Sequence, residues 1–189
     1  MMRHREALEV LARHRGESIV ITTMGSVALW PEFSDTVRDF HYLPSSMGEA
    51  IPLALGLCLA RPELKVVVLV GDGSLLMNLG CLVTTAQYPV CLRIILVDNG
   101  LYEVTGGQSV AHARRTDFAL IARGAGIPRV YVCATLDQWQ HAAPEVFIGP
   151  GPVFVWWQVY GEKGRTTPAP PRSMPEQIRR LQSLWSADS

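Results

Sequence analysis

Two acidic-to-amide loops stand out as able to do chemistry. Asp72 lies in Gly71-Asp72-Gly73-Ser74, directly after the continuous apolar run Val66–Val70, and Asn99 lies in Asp98-Asn99-Gly100, after Arg93–Val97 (RIILV), which reads as the next strand. Gly71 and Gly73 allow a tight turn that a ligand can approach closely, and main-chain N–H groups at the start of a following helix favour an anion. A carboxylate in such a turn would repel a phosphate unless a cation lies between them. Oxygen donors suit a hard cation, Mg²⁺ or Ca²⁺: Asp72, Asn99, the main-chain carbonyl of Leu101, two phosphate oxygens and a water would complete an octahedron.

The spacing of the two loops is consistent with this chemistry. Asn99 follows Asp72 by 27 positions, room for one helix and a strand returning parallel to the first. Both loops then open at the carboxyl edge of the sheet, where open α/β folds bind ligands. Ser74 is expected to cap a helix over Ser74–Gln87 whose Leu75, Leu76, Leu79 and Leu82 face the core, with Asn78 turned to solvent or a neighbouring subunit.

Three segments together carry a family resemblance: PSSMGEAIPLALG (Pro44–Gly56), VGDGSLLMNLG (Val70–Gly80) and DNGLYEVTGGQ (Asp98–Gln108). In order and spacing they resemble the diphosphate-binding domain of thiamine-diphosphate-dependent decarboxylases, over roughly residues 19–159. The VTGGQ segment is similar to the separate small subunit of sulfopyruvate and phosphonopyruvate decarboxylases in particular. The resemblance implies a thiamine diphosphate site with Mg²⁺ held by Asp72, Asn99 and the carbonyl of Leu101. It implies cofactor contacts from Thr23, Ser45, Gly71, Gly73, Ser74 and Tyr102, with Ser26 near the diphosphate. Met47 takes the place of the large apolar residue that wedges between the two rings of the cofactor, flanked by the Ser45 carbonyl and the Met47 N–H for the pyrimidine. Glycine is usual at position 45, so serine is a departure there.

Leu101–Arg115 reads as an irregular active-site loop in which Glu103, Thr105, Gln108 and His112 offer acid–base or hydrogen-bonding groups. Glu103 and Gln108 join Met47 as candidate catalytic residues. Several related decarboxylases carry a glutamate six residues beyond the metal asparagine, where this chain has Thr105, so the product's proton is expected from elsewhere. Arg114 and Arg115 are read as ordinary solvated charges, with a contact to a substrate sulfonate or phosphonate as the alternative.

The elements that must position these residues alternate. Helices are expected over Met2–His14, Glu49–Ala60, Thr116–Gly126 and Leu136–Phe147, and strands over Ser18–Thr22, Asp39–Leu43, Arg129–Cys133 and Pro152–Val159. That alternation predicts a doubly wound, mainly parallel sheet with helices on both faces, the thiamine-diphosphate-binding fold. One such domain is expected over residues 1–160. A Pro-rich extended arm follows from 161, ending in a short helix Glu176–Trp185; the arm is expected to lie across a partner, with a disordered tail as the alternative.

Composition excludes other classes. Seventeen basic and seventeen acidic residues give no net charge, hence no electrostatic footprint for nucleic acid. No apolar run reaches the roughly 20 residues that span a membrane, and Cys58, Cys81, Cys91 and Cys133 form no CxxC, so a reduced, cytoplasmic protein is expected.

The same resemblance assigns polarisation of the pyrimidine to a glutamate on a second domain, and only a short helical stretch precedes the first strand here. A separate pyrimidine-binding subunit, in a hetero-oligomer with at least two copies of each chain, is therefore expected to complete the site. The expected reaction is decarboxylation of a small 2-oxo acid, here a three-carbon acid with an anionic terminus. The alternatives are a thiamine-diphosphate carboligase subunit and a non-catalytic, cofactor-binding regulatory subunit.

Overall fold

The computed structural model describes residues 1–111, 113–164 and 169–186, so His112 lies outside the described residues. Six strands form one sheet in the order β2-β1-β3-β4-β8-β7, every neighbouring pair parallel. They are β1 (Ile19–Thr22), β2 (Asp39–His41), β3 (Val66–Gly71), β4 (Leu92–Asp98), β7 (Arg129–Cys133) and β8 (Val153–Gln158). β3, β4 and β8 are mostly apolar on both faces because helices cover both, with buried Arg93 and Asp98 near the two ends of β4 as exceptions.

The strand alternation sorts the core into two layers. Ile19, Ile21, Val66, Val68, Val70, Ile94 and Leu96 face α3 (Ala50–Ala60), α5 (Gly80–Ala86), α6 (Phe118–Gly124) and α8 (Met174–Ser186). Val20, Val67, Leu69, Ile95 and Val97 face α1 (His4–His14) and α7 (Leu136–Phe147), around Trp30, Trp139 and Trp157. Asp117 caps α6 by accepting from Leu120 N at 2.9 Å, and Thr135 with Gln138 forms a capping box at the start of α7.

Two sequence expectations need correction. The helix after β3 begins at Asp72 rather than Ser74, and it is broken: α4 (Asp72–Leu76) is followed by a turn at 77–79 before α5. The break has a tertiary cause, because Asn78 Nδ2 donates to Gly48 O at 3.1 Å and Ser74 Oγ accepts from Gly48 N at 2.9 Å. Ser74 and Asn78 thus hold the loop that carries Met47, instead of capping a helix or facing solvent.

The loop after Asn99 is also more ordered than its sequence suggests. β5 (Leu101–Tyr102) and β6 (Gln108–Ser109) pair antiparallel around a 3₁₀ turn at Glu103–Thr105, with Gly106 and Gly107 at φ +123° and +75°. At the other edge α8 docks on β2 of this chain. Gln177 Oε1 accepts from His41 N at 2.6 Å, Leu181 is buried, and Arg172 makes a two-pronged ion pair with Asp35.

Candidate functional site

The strand order reverses between β1 and β3, since β2 lies on one side of β1 and β3 on the other. The loops that leave the carboxyl ends of these two strands therefore part and leave a crevice. A pocket occupies it, and its wall includes Thr23, Met47, Asp72, Asn99, Tyr102 and Glu103.

Nearly every residue singled out in the sequence meets here: Gly71, Gly73, Ser74, Ser26 and Leu101 line the same pocket. Ser45 lies two residues outside it on the Met47 loop, half-buried. Gln108 does not reach it and is exposed on β6. The Thr23 hydroxyl is already committed, donating to Leu69 O at 2.8 Å.

Asp72 is 2% exposed, and its Oδ2 accepts from Gly100 N at 3.0 Å. Burial, with the Asp98 carboxylate beside it, holds the Asp72 carboxyl well above the usual carboxylate range. Asp98 is fixed in turn by Trp156 Nε1, which donates to its Oδ2 at 2.9 Å, while its buried Oδ1 has no hydrogen-bond donor among the described residues. Two buried carboxyl groups with one oxygen unsatisfied are an electrostatic arrangement that a cation relieves. Asn99 Oδ1, accepting from Leu101 N at 2.8 Å, retains a lone pair, so Asp72 and Asn99 fit a hard divalent ion.

The remaining wall is shaped by close approach. A Cβ on Gly73 would meet Tyr102 Cδ1 at 2.9 Å, so the tyrosine ring rests directly on the turn and only glycine fits beneath it. Met24, at φ +45°, is a non-glycine residue in the left-handed region, and such strain collects where a loop is shaped for a ligand. Glu103 is buried, its Oε1 accepting from Glu162 N at 2.7 Å.

Sequence reasoning missed His4 and Met24 as pocket residues. Met24 lies between two singled-out positions, and its neighbour Gly25 was a usable signal; His4 had none, being placed by the pairing of Met2 with Val159.

Residues 23–156 match the family model described as "Thiamine pyrophosphate enzyme, C-terminal TPP binding domain". The chain is 39% identical over 157 residues to sulfopyruvate decarboxylase subunit beta of Methanothermobacter thermautotrophicus, covering 82% of this chain and 80% of that one. It is 34% identical over 151 residues to phosphonopyruvate decarboxylase of Streptomyces viridochromogenes, covering 79% of this chain but only 38% of that longer protein. In fold it is similar to the thiamine diphosphate-dependent 4-hydroxybenzoylformate decarboxylase of Rhodococcus jostii RHA1, with a TM-score of 0.70 at 20% identity, over 86% of this chain and 33% of that one.

Proposed function

Because the chain belongs to the thiamine pyrophosphate enzymes, through their C-terminal TPP-binding domain, we propose that it is the diphosphate-binding subunit of a split thiamine-diphosphate-dependent 2-oxo-acid decarboxylase. Its substrate is a three-carbon 2-oxo acid with a sulfonate or phosphonate terminus. The observation that carries this reading is one pocket holding Asp72, Asn99, the Gly71–Ser74 turn and Met47 together.

Each residue has a task that its position supports. Asp72 and Asn99, with the Leu101 carbonyl, hold Mg²⁺, and Asp98 beneath Asp72 raises the pull on a cation. The N–H groups of the Gly73–Ser74 turn face the diphosphate. Met47, braced through Gly48 by Ser74 and Asn78, supports the rings. When bound, the cofactor supplies the sink for the electron pair left as carbon dioxide departs. The acid anion and one proton become an aldehyde and carbon dioxide.

A separate pyrimidine-binding subunit completes the site, in an assembly with at least two copies of each chain. Two facts support this: the relative named as a beta subunit is matched over most of its length, and α3 is an apolar helix with part of its surface uncovered. The free cysteines suit a reducing compartment, the cytoplasm. Among the described residues no helix is long and apolar enough to cross a membrane.

Reconstitution tests the proposal. The chain alone, with thiamine diphosphate and Mg²⁺, should release little carbon dioxide from sulfopyruvate or phosphonopyruvate, and adding the pyrimidine-binding partner should restore turnover. Full turnover by the pure single chain, or no cofactor binding with or without the partner, overturns it.

A further inference from the structure

His4 stands in the wall of the pocket, yet it precedes the family-matched region, which begins at residue 23. Main-chain pairing at long range puts it there. Met2 N donates to Gln158 O at 3.1 Å, Tyr160 N donates to Met2 O at 3.2 Å, and Met2 forms a parallel bridge with Val159. The first residues therefore run beside the carboxyl end of β8, and α1 begins at the ligand-binding edge of the sheet.

The helix that carries His4 is firmly seated. Ala7, Leu8, Val10 and Leu11 are at most 1% exposed, and Trp139 Nε1 donates to Ala7 O at 3.0 Å. Its first turn is consequently held in one place. There His4 Nε2 lies 3.2 Å from the hydroxyl of Ser26, itself only 3% exposed.

Charge gives this position a meaning. His4 is the single basic side chain among the described residues lining the pocket, against the carboxyl groups of Asp72 and Glu103. A diphosphate ester added to two carboxylates brings more negative charge than one divalent cation neutralises. His4 also lines a neighbouring hollow with Arg3, Arg5, Asn99 and Glu103, so it stands between the pocket and a second patch that carries two more cations.

We propose that His4, acting with Ser26, is a cofactor-binding residue that contacts the diphosphate group. The N-terminal helix is then a working part of the site as well as a cover for the sheet. The inference rests on the cofactor assignment made above.

Calorimetric titration of the full chain, with and without the partner subunit, separates the two. The probes are thiamine diphosphate and inorganic pyrophosphate, each with Mg²⁺, and the variants are His4→Ala, His4→Gln and Met47→Ala. His4→Ala should weaken both probes about tenfold, as loss of one charge-assisted hydrogen bond does, with the unfolding temperature unchanged. His4→Gln, which keeps a neutral donor, should lose less, and it decides the matter should the alanine variant prove unstable. Met47→Ala should weaken thiamine diphosphate and leave pyrophosphate alone. Wild-type-like binding of pyrophosphate by both His4 variants overturns the role of His4 while the cofactor assignment stands. If the wild type binds neither probe, the cofactor assignment itself fails.

Discussion

Asp72 Oδ2 accepts the main-chain N–H of Gly100 at 3.0 Å, a hydrogen bond that closes 28 residues of chain and ties the turn after β3 to the loop after β4. The two loops that carry the candidate metal ligands are thereby referenced to each other. An ion need not gather them from a distance, and the site is preorganised before any ligand arrives.

That preorganisation has a cost visible in the same residue. Burial beside Asp98 disfavours the charged form of Asp72, so the carboxylate that serves a cation is a liability without one. Asp72→Asn should weaken Mg²⁺-dependent binding of thiamine diphosphate by about 100-fold, about 2.8 kcal/mol at 1.4 kcal/mol per tenfold. Its thermal unfolding temperature without ligand should equal or exceed that of the wild type. Calorimetry and a melting curve on one preparation check both halves, and a variant that binds normally or melts much earlier contradicts the assignment.

Tyr102 and Gly73 form a second pair whose fit is testable. A methyl group on Gly73 enters the space of the tyrosine ring, so Gly73→Ala should destabilise the fold by about 1–3 kcal/mol, the usual cost of overpacking. Adding Tyr102→Ala should return most of that stability, a coupling that a double-mutant cycle in urea reads directly. Additive losses, with the double variant losing the sum of the two singles, would show that the ring does not rest on the turn.

The strands, the helix Leu136–Phe147 and the two ligand loops were legible because their signals are local: apolar runs, alternation of elements, and glycines where a turn is tight. The break between α4 and α5 was not, because it follows from Asn78 reaching Gly48 across 30 residues. For the same reason Ser74 looked like a cap when its hydroxyl holds the Met47 loop. His4 entered the site through pairing of Met2 with Val159, and Glu103 was buried by a bond from Glu162 N; neither is written in the residues around it. Periodicity reports what a residue does for its own element and is silent on which distant loop it holds.

The edge of the sheet should respond to pH. Burial holds the His41 imidazole below its ordinary value, with Arg172 and Arg180 adding to the lowering while Asp39 and Asp35 oppose it. Above a pH of about 6.5 both folded and unfolded His41 are neutral, and its packing contributes fully. As pH falls through that value the unfolded chain takes up a proton that the folded chain resists, so stability drops by up to about 1.4 kcal/mol per pH unit. His41 is bonded on both sides of its backbone to Gln177, so α8 should loosen with it. The raised Asp72 carboxyl contributes a slope of the opposite sign over the same range, so the readout is the difference between variants: in urea unfolding from pH 7.5 to 5 the wild type should lose more stability per pH unit than His41→Gln, and identical slopes would assign the effect elsewhere.

The face of α3 bears on assembly. Its sequence, AIPLALGLCLA, has no charged residue, yet Leu59 is 45% exposed, and on α5, which packs against α3, Val83 is 52% exposed. A helix that is apolar all round is normally covered, and this one leaves the loop that carries Met47, so its cover would sit next to the ring end of the pocket. Leu59→Asp and Val83→Asp should each change the stability of the isolated chain by no more than about 0.5 kcal/mol, as exposed substitutions do. In the mixture with the pyrimidine-binding subunit they should weaken association by roughly 30-fold or more, the scale of a central interface residue. Pyrophosphate binding by the isolated chain should be unaffected, because neither side chain lines the pocket. Sedimentation of the mixed subunits measures the first effect and calorimetry the second; undiminished association in both variants would move the partner to another face.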